Sequence, residues 1–166
     1  MSEKRQHSPA AAHDVLELDN QLCFALHATT RRVVRAYQEE LGRIDLTYPQ
    51  YLVMLVVWGW ERDRNPRPTV SAMGARLDLD SGTLTPLLRR LEQKGLLTRE
   101  RSRVDGRELF VRTTAAGRAL KRSAQRIPVS LAKRSPLPIE ELVALREQLK
   151  RLRAGLPWHE TAGAPA

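Results

Sequence analysis

A single cysteine, Cys23, is all the thiol the 166 residues contain. An intramolecular disulfide is therefore excluded, and so is a thiolate zinc site. Histidine is sparse as well: His7, His13, His27 and His159 show neither metal nor triad spacing, so no metal and no cofactor is expected. Tyrosine is limited to Tyr37, Tyr48 and Tyr51. No uninterrupted apolar run reaches the roughly 18 residues of a membrane-spanning helix, so no membrane partner is expected. Lys4 and Arg5 are followed by no apolar stretch, which argues against a secretory signal and for a cytoplasmic protein. The lone thiol suits a reducing compartment.

Positive charge, by contrast, is abundant and localised. The net charge is +9. Between Arg62 and Arg126 there are 16 Lys and Arg against 7 Asp and Glu, while the rest of the chain carries 12 of each sign. The whole excess thus falls on one middle segment, the footprint of a nucleic-acid-binding face; a merely solvated surface would scatter it.

Hydrophobic spacing divides the chain into helices and one hairpin. Residues 1–13 read as disordered, 14–155 as one domain and 156–166 as a disordered tail. Leu22, Leu26, Thr29, Val33, Tyr37 and Leu41 recur every three to four residues, which predicts a long amphipathic helix starting near Asp14 or Asp19 and stopping at Gly42. Thr47 with Pro49 starts a second helix, in which Tyr51–Trp58 is apolar all round; a strand is the alternative for that β-branched run. Residues 59–68 read as a loop. Two short helices follow, about Thr69–Leu77 and Ser81 onward, separated by Asp78-Leu-Asp80. Leu84, Leu87, Leu88 and Leu91 form the inward stripe of the second, and Gly95 ends it. This is the helix-turn-helix pattern. Leu96–Ser102 and Glu108–Thr113 then bracket Val104-Asp-Gly-Arg107, a basic hairpin or wing. Thr114–Gln125 and Ile139–Leu152 read as two helices broken by Pro128, Pro136 and Pro138. The fold class is mainly α with a small β-hairpin.

A helix presented to the major groove offers its N-terminal side chains to base edges. Here those are Ser81, Thr83, Thr85 and Pro86, short hydroxyl groups plus apolar surface for a thymine methyl. Arg89 and Arg90 suit phosphates. Arg101, Arg103 and Arg107 lie on the hairpin, where an arginine at the tip suits a narrow minor groove.

Leu79-Asp-Ser-Gly-Thr-Leu-Thr-Pro-Leu-Leu-Arg-Arg-Leu-Glu92, Gly95-Leu, Arg99, Asp105-x-Arg107 and Thr114-x-x-Gly117-Arg resemble the MarR family of winged-helix regulators over roughly residues 16–125. The resemblance implies a homodimer on a pseudo-palindromic double-stranded operator, with 14–58 and 114–153 mainly dimerisation helices and 69–113 the winged helix-turn-helix. It also implies repression, a wing braced by Asp105, and DNA contact by Arg107. Leu18-Asp-Asn-Gln-Leu-Cys-Phe-Ala-Leu26 and Leu46-Thr-Tyr-Pro-Gln-Tyr-Leu-Val-Met54 are similar to the organic hydroperoxide resistance (OhrR) group within that family.

Peroxide is attacked by thiolate, so a sensing cysteine needs surroundings that favour an anion. Asp19 as a cap would place Cys23 about one turn inside the first helix, near its positive end. Tyrosine hydroxyls are suitable donors to sulfur. Tyr37 lies 14 residues beyond Cys23, about 21 Å along one helix, so contact requires the other subunit or a helix break. The resemblance implies the former, with Tyr37 and Tyr48 matching the group's two tyrosines. One turn after the cysteine this chain has His27, where relatives often place a third tyrosine. With no second cysteine, a sulfenic acid at Cys23 is expected to condense with a low-molecular-weight thiol or oxidise further. Cys23 as an inert core residue, with a small aromatic ligand as the signal, is the competing reading. A thiol peroxidase using Cys23 and a non-specific DNA-coating protein are two more.

Overall fold

The structure, a computed structural model, describes residues 15–64, 68–102, 106 and 108–156. The chain divides into two units, Met1–Ala36 and Tyr37–Ala166. Seven α-helices and one antiparallel strand pair are described: α1 Leu22–Gly42, α2 Tyr48–Arg62, α3 Val70–Leu77, α4 Ser81–Gln93, β1 Leu97–Arg101, β2 Leu109–Thr113, α5 Ala115–Ala124, α6 Arg126–Lys133 and α7 Ile139–Gly155.

The first helix starts later than its periodicity predicts. Leu18–Asn20 form a single 3-10 turn, and Gln21 follows in extended conformation. The Gln21 side-chain amide donates to the Val15 and Glu17 carbonyls, while its own backbone carbonyl accepts from Ala25 N–H. Asp19 therefore does not cap α1, and Cys23 is its second residue rather than one turn in.

In the second unit, the helix starts follow local capping chemistry. Thr47 Oγ1 accepts from Gln50 N–H and Gln50 Oε1 accepts from Thr47 N–H, a reciprocal capping box with Pro49 in the first turn. This settles the choice for 51–58 in favour of helix. Thr69, Asp80 and Thr114 cap α3, α4 and α5 in the same way, each accepting a backbone N–H three residues on. α3 ends at Asp78 with φ 51° and ψ 49°, and α4 is followed by Gly95 at φ 67°, both left-handed terminators.

The core is built where these helices meet the hairpin. Val53, Met54, Val57 and Trp58 of α2, Met73 of α3, Leu84, Leu88 and Leu91 of α4, Leu97 of β1 and Val111 of β2 are all buried. Trp58 Nε1 donates to the Gly117 carbonyl at 2.9 Å, so the indole is both buried and satisfied. Gly117 has no space for a side chain: a Cβ would lie 2.1 Å from the Leu96 carbonyl oxygen. β1 and β2 pair from Leu97↔Thr113 to Arg101↔Leu109. Thr69 bridges Phe110, and Val111 N–H donates to the Pro68 carbonyl at 2.7 Å, so the chain entering α3 adds a third short edge.

Three further expectations are corrected. The loop placed at 59–68 is helical through Arg62, because half-buried Trp60 continues the inward face of α2. The proline-bearing stretch after Gln125 contains α6, since Pro128 falls in the first turn, where its missing N–H is harmless, and Ile127 is buried in the core. The last helix runs to Gly155 rather than Leu152. Val104, Asp105 and Arg107 of the hairpin lie outside the described residues, as do 1–14 and 157–166.

Candidate nucleic-acid interface and redox site

The exposed face of α4 presents the side chains expected to face DNA. Ser81, Thr83, Thr85, Pro86, Arg89 and Arg90 are all exposed, while Leu84, Leu88 and Leu91 hold the opposite face in the core. This division follows from the 3.6-residue period. Asp80 organises the helix start: Oδ1 accepts Thr83 N–H at 2.7 Å and Oδ2 lies 3.0 Å from Thr83 Oγ1. Those bonds, the backbone one first, hold the Asp80 carboxyl below the usual carboxylate range. Motif reasoning misses Asp80, although an Asp directly before a helical run is itself a capping signal.

The far end of α4 is tied to the wing. The Glu92 carboxylate accepts from Arg99 N, Nε and Nη2, the last at 2.7 Å, and the Arg99 side-chain bonds lead in holding Glu92 below the ordinary glutamate range. On the wing, exposed Arg101 donates from Nη1 to the Gly106 carbonyl at 2.9 Å. Arg103, Asp105 and Arg107 lie outside the described residues.

Cys23 and His27 are both exposed, one turn apart on α1 in the first unit. Cys23 is thus not a core residue. In the second unit the three tyrosines converge: the Tyr37 ring meets Tyr48 edge-on at 5.2 Å and Tyr51 at 5.9 Å. Burial raises all three phenols, with neighbouring rings adding to Tyr37 and Tyr51; Tyr51 is pushed up to about 12. All three therefore keep their protons at neutral pH and can donate hydrogen bonds. Sequence reasoning does not single out Tyr51, because nothing local shows that it packs against Tyr37.

A separate cavity of about 310 Å³ is lined by Val57, Trp60 and Val111 together with Arg64, Arg112, Arg118 and Glu61, whose Oε1 accepts from Arg118 Nη1 at 3.2 Å. Among the described residues, no group of three or more His, Cys, Asp or Glu could hold a metal ion, and no helix is long and apolar enough to cross a membrane.

Residues 35–123 match the family model described as transcriptional regulator SarA/Rot. The chain is 42% identical over 139 residues to an organic hydroperoxide resistance transcriptional regulator of Bacillus subtilis, covering 84% of this chain and 91% of the relative. Among solved structures, overoxidized AbfR bound to DNA is similar at 34% identity with a TM-score of 0.66, covering 84% and 95% of the two chains. A mutant MarR from E. coli, complexed with operator DNA, is similar at 26% identity and the same TM-score, covering 82% and 94%.

Proposed function

From the premise that this chain belongs to the MarR and SarA/Rot family of winged-helix transcriptional regulators, DNA-binding proteins rather than enzymes, we propose that it is a homodimeric repressor. In this reading it releases a pseudo-palindromic operator when an organic hydroperoxide oxidises Cys23. The observation that carries the reading is the exposed lone thiol at the second position of α1, flanked by the apolar side chains Leu22 and Phe24. The 42% identity to the Bacillus regulator supports it.

The chemistry runs on one sulfur. Cys23, reacting as thiolate, takes the terminal peroxide oxygen; an S–O bond forms, the O–O bond breaks, and the alkoxide leaves as alcohol after taking a proton. Sulfur is oxidised by two electrons and the peroxide is reduced. The sulfenic acid condenses with a low-molecular-weight thiol to a mixed disulfide and water. Cys23 and Tyr37 lie 14 residues apart, about 21 Å along one helix, so in this reading the tyrosines at the sulfur come from the second subunit, as the resemblance implies. Tyr37 and Tyr48 then act as donors, with His27 beside them. Bulk added at Cys23 disturbs those contacts and shifts the two α4 helices. On DNA, Ser81, Thr83, Thr85 and Pro86 meet bases, while Arg89, Arg90 and the wing residues Arg101, Arg103 and Arg107 meet phosphates and the minor groove, with Asp105 bracing the wing. The protein acts in the cytoplasm.

An electrophoretic shift assay on the promoter region beside its own gene tests this. Wild type should bind and be released by an organic hydroperoxide, and Cys23→Ser should bind and stay bound. Release of Cys23→Ser by peroxide would end the proposal. If neither protein responds, the second reading takes over: an aromatic acid as signal, favoured by the cavity that joins Trp60 to Arg64, Arg112 and Arg118.

A further inference from the structure

The bond between Asp80 and Thr83 bears on which bases the protein selects. The Asp80 carboxyl is held below its usual range by its bonds to Thr83, so it is ionised at neutral pH and has no proton to give. The 3.0 Å contact between Oδ2 and Thr83 Oγ1 must then be donated by the threonine. A hydroxyl has one proton. With that proton directed at Asp80, Oγ1 offers only lone pairs to a group approaching from outside, and Thr83 is exposed on the N-terminal turn of α4.

We propose that Asp80 makes Thr83 an acceptor-only reader of DNA, so that Thr83 selects a base with an exocyclic amino group, adenine or cytosine, on the strand it contacts. In the major groove adenine N6 and cytosine N4 are donors, whereas guanine O6 and thymine O4 are acceptors that this hydroxyl cannot serve. The inference rests on the reading that the start of α4 enters the major groove. Asp80 is here a positioning residue, since it acts through the proton of its neighbour.

Asp80→Asn inverts the arrangement without removing the cap. Asn Oδ1 still accepts Thr83 N–H, but its amide nitrogen now faces Oγ1, which must accept, so the threonine proton turns outward. The experiment is selection and sequencing of bound fragments from a randomised version of the promoter region, with full-length wild type, Asp80→Asn, Thr83→Val, Thr83→Ser, Ser81→Ala and Thr85→Ala. At one position in each half-site, wild type and Thr83→Ser should favour A or C over G or T by about fivefold, the low end for a base contact. Thr83→Val should erase that preference alone, and Asp80→Asn should move it toward G or T. A Thr83-dependent wild-type preference for G or T overturns the proposal, as does an Asp80→Asn profile identical to wild type. Should Asp80→Asn not fold, the Thr83→Ser and Thr83→Val profiles decide between A or C and G or T. If Thr83→Val alters no position while Ser81→Ala or Thr85→Ala does, the proposal fails and the major-groove reading stands. If none of these variants alters any position, both fail.

Discussion

α4 and α7 are both amphipathic, yet they treat their apolar residues in opposite ways. Leu88 of α4 is 0% exposed, sealed by α2 and the wing. α7 has no buried residue, and Leu149 in its apolar set is 36% exposed. Val143, Leu145 and Leu152 are likewise open. Among its described contacts are those of Arg153, whose Nε lies 2.6 Å from Asp78 Oδ2 and whose Nη2 reaches the Arg76 carbonyl, at the turn between α3 and α4. The helix-turn-helix is therefore completed within one chain, and α7 is not. An apolar stripe left open on a helix is satisfied by another surface. In the proposed homodimer that surface is the second copy.

The contrast is broken most severely at α4. Leu88→Ala should destabilise the protein by about 2–5 kcal/mol, the usual cost of a cavity in a well-packed core, read by denaturant unfolding. A loss below about 1 kcal/mol, less than a buried leucine truncation costs, would mean that the α4 stripe is not the sealed side of the comparison. The complementary change, Leu149→Glu, places a charge on the open apolar side of α7. Folding of the single chain should survive, whereas the dimer should dissociate at micromolar concentration in sedimentation velocity. A Leu149→Glu dimer as tight as wild type would remove α7 from the proposed interface.

The smallest expected effect concerns the tie between α4 and the wing. Arg99 lowers the Glu92 carboxyl in the folded chain, so the stabilisation is complete above the unfolded value near about 4.3 and is lost as pH falls through the lowered folded value. The pair is partly exposed, with side chains 37% and 23% accessible, which limits its worth at neutral pH to about 1 kcal/mol or less. Glu92→Gln should be less stable than wild type by that amount at pH 7. The two unfolding curves should converge in acid, once wild-type Glu92 is protonated. A difference that grows on acidification would contradict the assignment.

Much of this architecture is legible residue by residue. Thr47-Tyr-Pro-Gln50 announces a helix start because its capping partners are three residues apart. The α4 stripe follows from period alone, and the basic middle segment from counting charges. Other local signals mislead. Pro128 reads as a breaker, although in a first turn it costs nothing. Asp19 reads as the α1 cap, although the extended Gln21 intervenes.

The sequence by itself determined the α2, α3 and α4 helices, the helix-turn-helix they lead into and the placement of charge, because caps and helical periods span four residues or fewer and charge is counted directly. Tertiary structure alone decided the rest. It brought Tyr51 onto Tyr37, the Pro68 carbonyl onto Val111, Trp58 onto the Gly117 carbonyl and Arg153 onto Asp78, across 14 to 75 residues. No local pattern encodes such pairings, because they depend on where the whole core lets the chain return, and only the packed core sets that.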